Sequence, residues 1–95
     1  MWLYSIEFNK KAQKELEKLP TLIAVRIINQ IEALQENPYP NWHKKLKNFN
    51  FPWYEVFPLY RIRVGNYRII YSIKNNELKI EIIRIGHRKE VYNNH

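Results

Sequence analysis

The chain has no cysteine and no aspartate, and only two glycines among its 95 residues. Without thiols there is no disulfide framework and no thiolate metal site, which fits a reducing compartment. Ser5, Thr21 and Ser72 are the only hydroxyls besides the tyrosines. With no Asp beside them, a Ser–His–Asp triad, an EF-hand and a Walker-type nucleotide site each lack necessary parts. The histidines are His43, His87 and His95, and no two stand at a zinc-ligand spacing, so neither a metal nor another cofactor is expected. No run approaches the roughly 20 apolar residues of a membrane span, so no membrane partner is expected. Glu7 in the opening stretch, with no small-residue cleavage site after it, argues against a signal peptide and for the cytoplasm. A chain of this length reads as one domain, 1–95, with a single modest core. Any enzyme chemistry must come from Arg, Lys, His, Tyr and Glu.

What is abundant is positive charge: 16 Lys and Arg against 9 acids, a formal +7. Its placement says more than its sum. Residues 1–37 hold five basic groups (Lys10, Lys11, Lys14, Lys18, Arg26) and five glutamates, so they are neutral. Residues 38–95 carry eleven basic groups against four glutamates, and the whole excess lies there. Such asymmetry predicts a polyanion-facing surface on a neutral scaffold.

Residues 2–8, Trp-Leu-Tyr-Ser-Ile-Glu-Phe, are rich in strand-favouring side chains and read as a strand. Asn9 is a suitable N-cap for a short helix from Lys10 to Lys18. Pro20 breaks the chain and suits the first position of a second helix. There Ala24, Ile27, Ile28, Ile31 and Leu34 follow helical spacing up to Asn37-Pro38. Tyr39 to Pro58 has no clean period. It holds half of the chain's aromatics, Phe57 included, and the basic cluster Lys44-Lys45-Leu46-Lys47. Two readings stay open for these rings: stacking platforms for RNA bases, or the plainer one, a cover over the sheet edge.

The last third is the most regular. Tyr60 to Val64 alternates, Gly65-Asn66 is a turn with glycine first as a type II′ turn prefers, and Tyr67 to Ile73 returns. Asn75-Asn76 turns again before a strand from Leu78 to Ile85. With the first strand this gives an α+β fold: a two-helix hairpin packed on a four-stranded, mainly antiparallel sheet. A two-residue loop at Gly65-Asn66 sets Arg63 opposite Arg68, with Arg61 on the same face. Like charges across strands oppose folding by up to ~1 kcal/mol, so three converging guanidiniums point to anion binding. Carried through Asn75-Asn76, the register sets Ser72 opposite Lys79 and Ile70 opposite Glu81, which could neutralise part of the cluster. The other face presents Tyr60, Ile62, Val64, Tyr67, Ile69, Tyr71, Ile73, Leu78, Ile80 and Ile82 to the helices. Beyond the sheet, Gly86 reads as a hinge leading into His87, Arg88, Lys89 and Tyr92. These are residue types for metal-free RNA cleavage: a His or Tyr for proton transfer, and arginines for the phosphorane.

The runs Tyr60-Arg61-Ile62-Arg63-Val64-Gly65-Asn66-Tyr67-Arg68-Ile69-Ile70-Tyr71 and Arg84-Ile85-Gly86-His87-Arg88-Lys89-Glu90-Val91-Tyr92 resemble the RelE/ParE superfamily of toxins, closest to the RelE branch. The resemblance spans roughly 2–92 and implies the toxin of a type II toxin–antitoxin system. It also implies a ribosome-dependent endoribonuclease that cuts mRNA in the A site by attack of the RNA's own 2′-hydroxyl. The partners implied are a cognate antitoxin, the ribosome and mRNA. Carried over by position, Arg68, His87, Arg88 and Tyr92 are the catalytic set; Arg61, Arg63, Lys44, Lys45 and Lys47 bind RNA. Two departures stand out. Arginines occupy 61 and 63, where a familiar RelE pattern has lysines, and an arginine cannot be a general base. Proton transfer then falls to His87 or Tyr92. The segment from Arg88 to Tyr92 is also shorter than in that pattern. Two other readings share the scaffold: a ParE-like gyrase inhibitor, and an RNA- or ribosome-binding module with weak catalysis.

Overall fold

The computed structural model describes residues 3–47, 49, 51–54 and 58–92. Trp2 and Phe57, which the sequence assigns to a strand and to the aromatic segment, lie outside them. The chain opens with β1 (Ser5–Phe8), α1 (Lys10–Glu17) and α2 (Thr21–Ala33), and continues through β2 (Lys44–Leu46), β3 (Leu59–Val64), β4 (Tyr67–Lys74) and β5 (Lys79–His87). The strands form one sheet in the order β1-β5-β4-β3-β2. β1 runs parallel to β5, and the other neighbours are antiparallel. Among the described residues no helix is long and apolar enough to cross a membrane.

Local chemistry sets both helix starts. The Asn9 side chain accepts from the Lys11 N–H at 2.9 Å, capping α1. Pro20 holds the N-cap position of α2, one residue earlier than its expected place as the first helical residue, and its carbonyl accepts from Ala24 at 2.9 Å. α2 ends at Ala33 rather than running to Asn37, because the chain tightens into i+3 bonds from Ile31, Glu32 and Ala33. Ile27, Ile31 and Leu34 are buried on the sheet, whereas Ile28 turns outward.

The sheet carries a core on each face. Against the helices lie Ile62, Val64, Ile69, Tyr71, Ile80, Ile82 and Ile85, with Ala12, Ile27, Ile31 and Leu34 from above. On the other face Phe51, Leu59, Ile70, Ile83 and Val91 form a smaller cluster, flanked by Leu46, Phe49, Trp53, Tyr54 and Tyr92. Here the aromatic segment acts as a lid: Phe51 is fully buried, stacked on Trp53 and edge-on to Phe49.

Three expectations need correction. The sheet has five strands among the described residues, because Lys44–Leu46 pairs with β3; three residues, two of them lysines, carry no visible alternation. The Asn75-Asn76 turn is longer than two residues, since Lys74 pairs with Lys79 and Leu78 adopts φ 50° within the loop. That moves the register by two, so Ser72 faces Glu81, not Lys79. A shift by an even number leaves each side chain on its own face, so the apolar face survives, apart from Leu78, which is exposed. A bulge then intervenes between Tyr71↔Ile82 and Ile70↔Arg84, so Ile70 faces Arg84 instead of Glu81. The bulge lets Ile82 and Ile85 both face the helices while Ile83 fills the second core.

Candidate functional site

The β3–β4 hairpin forms as its turn dictates. Gly65 has φ +60° and Asn66 does not share a positive φ, the combination of a type II′ turn. The register is Val64↔Tyr67, Arg63↔Arg68 and Arg61↔Ile70. Arg61, Arg63 and Arg68 therefore share one face, opposite the helices. Lys44 joins them, since β2 sets it opposite Arg61. Lys45, opposite Tyr60, belongs to the other face, and Lys47 follows the strand. His43, Lys44, Lys45, Leu46, Lys47, Phe49 and Tyr92 line an open cleft of about 650 Å³ beside this edge.

Arg68 lies at the centre of the cluster and is only 8 % exposed. Burial pulls its guanidinium below the ordinary arginine range. Arg63 and Arg61 push the same way, then Tyr92 opposes and Arg88 adds, so all four lie within electrostatic reach. Its side chain makes one long hydrogen bond, 3.5 Å to the Tyr67 carbonyl. The buried Arg61 Nε has no acceptor among the described residues. Ion pairs among those residues join Lys79 to Glu7 and Glu77, and Arg84 to Glu15; none involves Arg61, Arg63, Arg68 or Arg88. Glu81 lies opposite Ser72 and accepts from the Tyr54 hydroxyl at 2.7 Å, which places it by the second core. The cluster thus holds desolvated positive charge and idle donors, and an anion would supply what both lack.

The end of the chain folds against the hairpin tip. Arg88 N–H donates to the Asn66 carbonyl at 3.0 Å, and the His87 carbonyl accepts from Glu90 and Val91. This tight turn buries Val91 in the second core and brings Tyr92 edge-on to Phe49 at 5.4 Å between centroids. Gly86 is a strand residue opposite Arg68, with no positive φ, rather than a hinge. Strand alternation puts His87 opposite Tyr67, their rings 6.0 Å apart and edge-on, on the helix face. Of the residues singled out in the sequence, Arg61, Arg63, Arg68, Arg88 and Tyr92 come together. His87 stands across the sheet from them.

One element the sequence did not reveal holds this edge of the sheet. β1 ends opposite Ile82, and beyond it β5 has no partner strand on that side among the described residues. Glu15 of α1 takes the missing strand's place, accepting from the Ile85 N–H at 2.9 Å and from Arg84 through Nε and Nη2 at 2.8–3.0 Å. Arg84 also lies over the Phe51 ring at 5.7 Å. Among the described residues no group of three or more His or Glu side chains could hold a metal ion.

Residues 6–92 match the family described as "ParE toxin of type II toxin-antitoxin system, parDE". The toxin RelE of Mycobacterium tuberculosis is 29 % identical over 90 residues, covering 94 % of this chain and 86 % of that protein. A chain of the archaeal RelE–RelB complex of Pyrococcus horikoshii superposes with a TM-score of 0.75 at 27 % identity, covering 93 % of this chain and 98 % of the other. A chain of the RelB–RelE antitoxin–toxin complex of Methanococcus jannaschii gives 0.66 at 34 % identity, covering 90 % and 94 %. The chain belongs to the RelE/ParE superfamily of type II toxin–antitoxin toxins, on its RelE side.

Proposed function

We propose that this toxin is a metal-free endoribonuclease that cuts mRNA in the ribosomal A site. The observation that supports it best is the convergence of Arg61, Arg63, Arg68 and Arg88 around a desolvated centre, with Tyr92 beside them. In the proposed reaction the 2′-oxygen attacks the adjacent phosphorus and loses its proton to a base. The bond from phosphorus to the 5′-oxygen breaks, and that oxygen takes up a proton. The products are a 2′,3′-cyclic phosphate and a 5′-hydroxyl. Arg68 stabilises the charge that grows on the phosphorane, because a buried guanidinium with uncommitted donors acts there with little competition from water. Arg61, Arg63 and Lys44 hold flanking phosphates, Lys45 and Lys47 extend that hold along the cleft, and Arg88 faces the leaving oxygen.

Proton transfer is assigned to Tyr92, since the alternative, His87, stands on the other face beside Tyr67. Addition of the purified protein to translating ribosomes, read by primer extension, should give A-site cuts. Arg68→Met and Tyr92→Phe should lose them and His87→Ala should keep them. Loss in His87→Ala with full activity in Tyr92→Phe would reverse the assignment. A supercoiling assay run alongside tests the ParE-like reading: gyrase inhibition without mRNA cuts would replace the ribonuclease. Binding without either activity would leave the weakly catalytic module.

The partner proposed in the cell is a cognate antitoxin, as the RelE–RelB complexes of the archaeal relatives suggest. An acidic segment laid over the arginine face would silence it by charge neutralisation. The cytoplasm is the compartment where ribosome, mRNA and antitoxin meet.

A further inference from the structure

Around the hairpin from the arginine face, α2 and the loop before β2 enclose an open notch of about 390 Å³. It is lined by Arg26, Asn29, Gln30, Trp42, Arg63, Val64 and Gly65, with no acid among them. Arg26, Asn29 and Gln30 stand at i, i+3 and i+4 on α2, so one helical face presents a guanidinium and two amides together. None of the three makes a side-chain hydrogen bond or ion pair among the described residues. Trp42 is 53 % exposed, a large ring left in solvent. β2 covers β3 only as far as Arg61, so the edge from Ile62 to Val64 is open on that side. At the tip, a side chain on Gly65 would meet nothing within 4 Å, so a ligand can come close to the backbone there.

We propose that this notch binds one nucleotide of single-stranded RNA. The base stacks on Trp42, the phosphate lies between Arg26 and Arg63, and the amides of Asn29 and Gln30 meet the base edge. The chemistry selects this occupant. An acid-free pair of arginines calls for an anion, an exposed indole calls for a flat ring, and a nucleotide joins both. Side-chain amides add the donor–acceptor pair that reads a base edge. Arg63 lines the notch and also pairs with Arg68, so the strand passes from one site to the other without a break. The proposal rests on the RNA reading of the arginine face and extends it to a subsite that holds a neighbouring nucleotide without touching the reacting phosphate.

The test uses the full chain and a fluorescein-labelled 2′-O-methyl RNA hexamer, which lacks the attacking hydroxyl and cannot be cut. Anisotropy should report binding, with Trp42→Leu weakening it roughly 5- to 100-fold. Arg26→Gln should weaken it several-fold and reduce its salt dependence. Hexamer binding unchanged in both variants would overturn the subsite. So would a glutamate-rich peptide that displaces no hexamer yet loses its own binding in both variants, which would make the notch a protein-docking site. If wild-type protein cuts no mRNA but the hexamer still depends on Trp42 and Arg26, the cleavage reading fails and the subsite stands.

Discussion

Replacing Arg68 by methionine should make the protein more stable while destroying its activity. The side chain is 8 % exposed, faces Arg63 directly across the ladder, and feels Arg61 and Arg88 as well. Two unit charges roughly 7 Å apart at an effective dielectric of about 40–80 repel by ~0.6–1.2 kcal/mol. Three such neighbours, each free to bend its exposed end away, leave a net repulsion on the order of 1–2 kcal/mol. Methionine keeps most of the aliphatic stem and its packing, so little is lost in exchange. Urea denaturation should therefore show Arg68→Met gaining about 1 kcal/mol at low salt. The gain should shrink towards zero near 1 M NaCl, where the screening length falls to about 3 Å. A variant less stable than wild type, or a gain indifferent to salt, would refute the view that this cluster is held together against its own repulsion. Phosphate should stabilise the wild type more than chloride at equal ionic strength, and the variant should lose that difference.

Three further outcomes follow from elsewhere in the fold. Glu15→Ala should cost about 2–4 kcal/mol in urea denaturation, because it removes the Arg84–Glu15 ion pair and the acceptor that the Ile85 N–H uses in place of a neighbouring strand; a loss below about 0.5 kcal/mol would show that the clamp is incidental. Leu78→Gly should raise stability by about 0.5–1 kcal/mol, since a half-exposed leucine holds φ 50° there; an unchanged melting temperature would mean that the loop relaxes. Burial raises the Tyr54 and Tyr71 hydroxyls above their ordinary value of 10.0. Their neutral forms are therefore favoured in the folded chain, and the stability they contribute is complete below pH 10 and drains away above it. The slope should approach about 1.4 kcal/mol per pH unit for each tyrosine, and Tyr71→Phe should remove one share of it. A flat profile in wild type from pH 9.5 to 11.5 would contradict that burial.

The parts of the fold legible in the sequence were those governed by local rules. The Asn9 cap, the Pro20 break and the Gly65-Asn66 turn each act within a few residues, and from the turn alone the Arg63–Arg68 pairing follows. The second turn misled because Leu78, a residue that avoids positive φ, adopts it, and no local signal marks that. The bulge at Ile83 was hidden as well, since Ile-Ile reads the same in a regular buried strand. The two together decide the site: the longer turn sets Glu81 opposite Ser72 by the second core, the bulge sets Arg84 opposite Ile70, where it pairs with Glu15, and the arginine cluster is left without an acid among the described residues. His87 was grouped with Arg88 by proximity in sequence, whereas strand alternation parts them. Trp42 was among the rings read as possible stacking platforms, but its meeting with Arg26, Asn29 and Gln30 was not foreseen, because loop and helix separate them in sequence; the polar i, i+3, i+4 stripe on α2 was the available hint.

The strand order bears on how this protein comes into being. Among the described residues β5 is the last strand in the chain, yet it lies between β1 and β4 and is the one strand that pairs with β1. Synthesis runs from the N-terminus, so β1 emerges early and waits for β5, whereas β3, β4 and β5 close as successive hairpins across short turns. The closing turn that delivers Arg88 and Tyr92 comes later still. The arginine cluster is therefore complete only once the chain through Tyr92 has been made. The β1–β5 ladder joins Ser5 to Lys79 across most of the chain, and such distant pairings form slowly, so docking of β1 is a late step beside the two local hairpins.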